Sequence, residues 1–204
     1  MRAEPAGRTM KRGTLPVLGV LLSAVLFMVA AGRYPGGYDW QYQSISSLFQ
    51  PDARNGAPNT AQPIAALAVV VFCASMAIVF NTIAKRGPSR YHRKAVQIGG
   101  IGAMIYAALV VTPMHDVLIG VALLFFVTAI LTIFHRLYLE RRVGLLGAGL
   151  TCLALTLTAA IMWYGQLLYE FMPMVQKLSW ASWILWLFWL LFREAESAVR
   201  VGKA

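Results

Sequence analysis

Six apolar runs follow one another along this chain: Thr14–Ala31, Gln62–Ala84, Ala95–Thr112, Val117–Phe134, Val143–Gly165 and Val175–Phe192. A run of about 20 apolar residues crosses a hydrocarbon core of roughly 30 Å. Inside lipid, an open chain satisfies its own backbone only as a helix. The period-2 alternation of a transmembrane barrel is absent. The sequence therefore predicts an all-α, polytopic membrane protein: six transmembrane helices in a single domain over residues 1–204. Composition agrees, because 13% charged residues are too few to cover the surface of a soluble domain this long.

The net charge of +10 invites a nucleic-acid reading. The distribution of the charge excludes it. Fifteen of the eighteen Lys and Arg residues lie at the termini or in the connections between spans two and three and between spans four and five. Only Arg33, Arg54 and Lys177 fall on the other side. The positive-inside rule then places both termini in the cytoplasm of a bacterial inner membrane. The basic face is expected to set topology and attract anionic lipids, without further partners. The basic start, the first apolar run and Val29-Ala30-Ala31 also resemble a signal peptide. That run exceeds the usual signal-peptide core of about 7–15 residues, so a retained anchor is expected, with cleavage the alternative.

The connections mark where chemistry could sit. Pro113 to Asp116 makes a tight turn between spans three and four, with Pro113 ending one helix and Asp116 placed to cap the next. The connection from Gly32 to Ala61 is long, and long loops in compact folds are usually functional or disordered. On a helix over Asp39–Gln50, Tyr42, Ile45, Leu48 and Phe49 share one face, and Gln43, Ser46, Ser47 and Gln50 the other. Asp39 is a fair N-cap and Pro51 a stop. A short amphipathic helix on the outer membrane surface is expected there. Pro51–Asn59 reads as turns.

Within the spans, Gly99, Ala103 and Ala107, and Gly144, Gly147 and Gly149, are small-residue packing signals. They fit helix contacts in the bundle, or a homo-oligomer or membrane partner. Cys73 and Cys152 read as small buried hydrophobes. Trp180, Trp183, Trp186 and Trp189 recur every three residues. They read either as a lipid-facing aromatic surface or as a stacking wall for a polyisoprenoid or sterol-like lipid.

Polar residues converge on the outer plane: Asp39, Gln43, Ser46 and Ser47 from the first connection, His115 and Asp116 from the second, and Glu170, Gln176 and Lys177 around the third. Ionisable groups near the membrane are costly and mark candidate sites. His115 could act as base with Asp116 orienting it and Ser47 or water as nucleophile. Lys177 could snorkel to lipid phosphates, clamp a phosphate or carboxylate, or pair with Asp116 or Glu170. A metal set from Asp39, Asp52, His115, Asp116 and Glu170 would suit calcium, magnesium or manganese. A three-histidine zinc site is excluded: His92 lies in a basic connection, and twenty helical residues put His135 about 30 Å from His115. No cofactor is named by any motif.

The order of Tyr42–Leu48 with its Ile-Ser-x-Leu, the Asn and Pro residues after it, Pro113–Asp116, and Gln176-Lys177 resembles the bacterial six-helix membrane proteins of domain of unknown function family 998. The resemblance implies an integral membrane protein of this topology and no activity. Where that family carries Glu-Leu-Gly after Ile-Ser, this chain has Ser47-Leu48-Phe49. A more distant likeness is to membrane hydrolases such as alkaline ceramidases, which use a Ser, an Asp and three His around zinc. Two functions follow as expectations. One is binding of a lipid or amphiphile headgroup by Asp39, Gln43, Ser46, Glu170, Gln176 and Lys177. The other is a membrane-embedded hydrolase or lipid-modifying enzyme using His115, Asp116 and Ser47. Small-solute transport ranks below both, since no span carries a mid-membrane carboxylate or a proline break.

Overall fold

The computed structural model describes residues 6–112 and 114–201, with side chains described for 13–112 and 114–193. Six helices carry the fold: α1 (Ala6–Gly32), α2 (Gln62–Lys85), α3 (Arg90–Ala108), α4 (His115–Leu139), α5 (Val143–Gly165) and α6 (Met172–Val201). Each is long and apolar enough to cross a membrane. The protein is an all-α polytopic membrane protein. Pro113, Arg2 and Lys203 lie outside the described residues, as do the side chains of Arg8, Lys11, Arg12 and Arg200.

Several helices outrun their apolar runs. α4 begins at His115, so His115 and Asp116, expected in a turn, are in fact helical; α6 begins at Met172, three residues ahead of its apolar run. His92 likewise sits in the first turn of α3, where Ser89 Oγ caps its N–H, and its Nε2 lies 3.1 Å from the Thr132 carbonyl of α4. Asp116 does not cap α4. It stands one residue inside the helix, and Met114 holds the cap position with no side-chain bond.

α2 is the spine, flanked by α1 and α3 and touched by α6; α5 and α6 form a second closely packed pair. Small residues set the approaches. A Cβ on Gly19 would collide with Ser75, and Ser23 Oγ donates to the Ala68 carbonyl at 2.8 Å, so α1 is built into the bundle. A Cβ on Gly99 would lie 2.8 Å from the Phe125 carbonyl of α4, and one on Gly100 would enter the Phe80 ring. Without a hydrophobic force between helices in lipid, such close packing supplies much of the association. Gly149 makes the same kind of contact, but a Cβ on Gly144 or Gly147 would meet nothing within 4 Å, so neither sets a close approach within this chain.

Two of the four tryptophans, Trp183 and Trp186, are core. Trp186 is 2% exposed, and its Nε1 donates to the Leu145 carbonyl; Trp183 donates to Thr156 Oγ1, both at 2.8 Å. Phe126 and Phe134 pack on their rings, and Phe72 stacks on Trp180. Of the four, Trp189 is the one left exposed. The lipid-facing and stacking-wall readings both fail for Trp183 and Trp186. The basic face also has partners: Arg136 is buried with Glu140 3.4 Å away, Arg142 lies 3.0 Å from Glu140, and Arg86 donates to the Leu191 carbonyl. Cys73 and Cys152 are buried, free thiols.

Candidate functional site

The α1–α2 connection folds over the ends of those two helices. Asp39 starts a single turn: its Oδ1 accepts from the N–H groups of Gln41 and Tyr42, and its carbonyl accepts from Gln43 N. The turn stops at Ser44, whose backbone is extended, and a 3-10 helix of five residues follows, Ile45–Phe49. The expected helix over 39–50 is thus shorter and broken. The reason lies in the Gln43 carbonyl. In an α-helix it would accept from Ser47 N; here it accepts from Tyr38 Oη (3.0 Å) and Lys177 Nζ, while Ser47 N turns to the Ser44 carbonyl. Leu48 and Phe49 do share one face. It packs against Ala30, Ala61, Ala65 and Val69, the bundle itself, rather than a membrane surface.

Three side-chain amides hold this connection. Gln43, expected on a polar face, is 7% exposed, and its Oε1 accepts from Asp39 N. Asn59, read from sequence only as turn chemistry, is 6% exposed. Its Nδ2 donates to the carbonyls of Leu48 (3.1 Å) and Gln50 (2.8 Å), and its Oδ1 accepts from Ala61 N. Gln62 Nε2 takes the Phe49 carbonyl. The open carbonyls of the 3-10 helix are therefore closed by side chains.

Lys177 is committed to backbone. Its ammonium donates to the carbonyls of Trp40 (2.9 Å), Gln43 and Pro173 (3.4 Å), which uses its three protons. It also stands 5.8 Å from the Tyr38 ring centre. It ties the first connection to α6. Among the described residues it pairs with neither Asp116 nor Glu170, and it is not disposed as a phosphate clamp. Burial pushes the Tyr38 phenol well above its ordinary value, with Tyr34 and Asp39 adding to the shift.

His115 Nδ1 and Asp116 Oδ1 are 3.0 Å apart, with Asp116 98% exposed. His115 Nε2 points the other way, into the protein, and is enclosed with no hydrogen-bond partner among the described residues. Gln176 Oε1 is enclosed in the same manner. Ser46 Oγ bonds Ser44 Oγ, and Ser47 Oγ donates to the Ser44 carbonyl. No bond joins either serine to His115. Asp52 belongs to a tight turn bridged to Pro58. Among the described residues no three of His, Cys, Asp and Glu gather as a metal set.

What the fold does bring together is a cleft of about 330 Å³ between the first connection and the one joining α5 to α6. Tyr42, Gln43, Ser44, Ser47 and Arg54 line one side; Trp163, Tyr169, Glu170, Met172 and Pro173 line the other. Gln43, Ser47 and Glu170 were expected at a site; His115, Asp116, Ser46, Asp39, Gln176 and Lys177 are not on its wall. The aromatic residues and Arg54 were missed, because nothing in the local sequence links positions a hundred residues apart. The far wall is held in an unusual backbone: Gln166 (φ 54°) and Leu168 (φ 48°) are both left-handed. Such conformations cost roughly 1–3 kcal/mol each and collect at functional sites. Comparison with family models, curated proteins and solved structures finds no match.

Proposed function

We propose that this membrane protein binds the headgroup of a lipid or amphiphile in the cleft between the two connections. In this reading the cleft lies at the extracytoplasmic face of a bacterial inner membrane with both termini in the cytoplasm, an orientation that the Lys and Arg bias supports. One observation carries the reading: Arg54 and Glu170 share a cleft with the rings of Tyr42, Trp163 and Tyr169, at the end of six membrane helices. Apolar walls with a few placed polar groups are the ordinary make-up of a ligand site. Rings at the membrane–water boundary suit a headgroup and the glycerol beneath it.

The hydrolase reading rests on the His115–Asp116 contact, which has the form of an oriented base. Against it, the nitrogen that would take a proton is enclosed, and Ser47, the candidate nucleophile, is bonded within its own turn. Binding is the better-supported function. The test is native mass spectrometry of protein extracted under mild conditions. Wild type retains lipid, and the double variant Arg54→Ala/Tyr169→Ala loses it with unchanged helicity. Equal retention by the double variant refutes the assignment.

A further inference from the structure

We infer that the occupant of this cleft is dipolar, carrying an anionic phosphate and a cationic ammonium as a phosphoethanolamine headgroup does. The inference rests on the headgroup reading and sharpens it. Arg54 and Glu170 are the two ionisable groups of opposite sign on the cleft wall. They come from opposite sides, one from each connection. Among the described residues, neither the guanidinium nor the carboxylate enters a hydrogen bond or an ion pair, and they do not pair with each other. Arg54 contributes only its backbone N–H, to Tyr34 Oη.

Two separated, opposite, unpaired charges across one cleft are complemented by a ligand with the reverse dipole. Arg54 meets the phosphate, where a guanidinium fork fits two oxygens. Glu170 meets the ammonium. Trp163 and Tyr169, with ring centres 5.5 Å apart, and Tyr42 supply faces that attract a cation. Lys177, the other cation on this end of α6, is engaged by carbonyls and does not compete for the phosphate. A purely anionic headgroup would share the cleft with the Glu170 carboxylate. A neutral sugar could stack on the rings but would leave both charges, which are exposed, to water alone.

The test uses the full chain in detergent micelles, titrated with phosphatidylethanolamine and, separately, phosphatidylglycerol of the same acyl chains, with native mass spectrometry as readout. Wild type is expected to prefer the ethanolamine lipid by about threefold to fivefold, the size of one exposed charge–charge attraction. Glu170→Gln should bring the two lipids to near parity, and Arg54→Ala should weaken both. Equal or stronger binding of phosphatidylglycerol by wild type overturns the dipolar assignment. If Arg54→Ala still weakens binding in that case, the broader headgroup reading survives; if it changes neither lipid, both fall. Glycerophosphoethanolamine, which lacks acyl chains, separates the sources. Weak binding relative to the lipid supports a membrane occupant, and equal binding supports the same dipole delivered from solution.

Discussion

Replacing Lys177 by Met keeps the stem and removes the ammonium that joins the first connection to α6. Two close bonds to carbonyls are lost, to Trp40 and Gln43, and one long bond to Pro173. A charge-assisted bond contributes about 1.5–3 kcal/mol at most, and less where water can replace it. The Trp40 carbonyl bond is exposed, and the Gln43 carbonyl keeps Tyr38 Oη. A net loss of about 2 kcal/mol in holding the connection down follows, which is roughly a thirtyfold rise in its opening equilibrium. Hydrogen–deuterium exchange reads this directly. The N–H groups of Asp39, Gln41, Tyr42, Gln43 and Ser47, all bonded within the connection, should exchange about thirtyfold faster. Amides in the middle of α2 should not change. Because Tyr42, Gln43, Ser44 and Ser47 form one wall of the cleft, lipid retention should fall in parallel. Exchange within threefold of wild type (under about 0.7 kcal/mol) would refute Lys177 as the tie. It would restore the view of it as a free cation.

Asn59→Ala should destabilise the protein by about 2–4 kcal/mol, since a buried amide with several partners leaves carbonyls unsatisfied; thermal unfolding in detergent checks it. Gly149→Ala should cost about 1–3 kcal/mol, because the new Cβ would enter the Phe134 ring and lie 2.8 Å from Trp186 Cζ2. Gly147→Ala, with open space around it, should be neutral or slightly stabilising in the same assay. The raised Tyr38 phenol binds its proton more tightly folded than unfolded. Its contribution is therefore complete below the ordinary tyrosine value of about 10 and declines as pH rises above it, toward the higher folded value. Tyr38→Phe should flatten that alkaline loss, measured as exchange of the Gln43 segment against pH.

The six helices were legible because an apolar run of membrane length admits one backbone solution. Their ends were less so. His115 and Asp116 looked like turn residues, yet a helix that leaves the hydrocarbon has no reason to stop until its hydrogen bonds find other partners. The 39–50 helix failed on a contact that local periodicity cannot contain. Lys177, more than a hundred residues away, draws off the carbonyl that the helix needed. The same long range hid the cleft, whose walls meet only after α5 and α6 pair. Trp183 and Trp186 were misread because Trp favours membrane boundaries, while Gly149 makes room for Trp186 and Thr156 satisfies Trp183. A clue was present: a glycine and a threonine seven residues apart, facing one side of α5.

A high-resolution structure of the protein crystallised from a lipidic mesophase containing phosphatidylethanolamine addresses the headgroup cleft most directly. The account predicts ordered headgroup density in the cleft, with phosphate oxygens at hydrogen-bond distance from Arg54 and the ring faces of Trp163 and Tyr169 against the rest. A cleft holding only water, in a structure where other lipids are ordered along the helices, would contradict it.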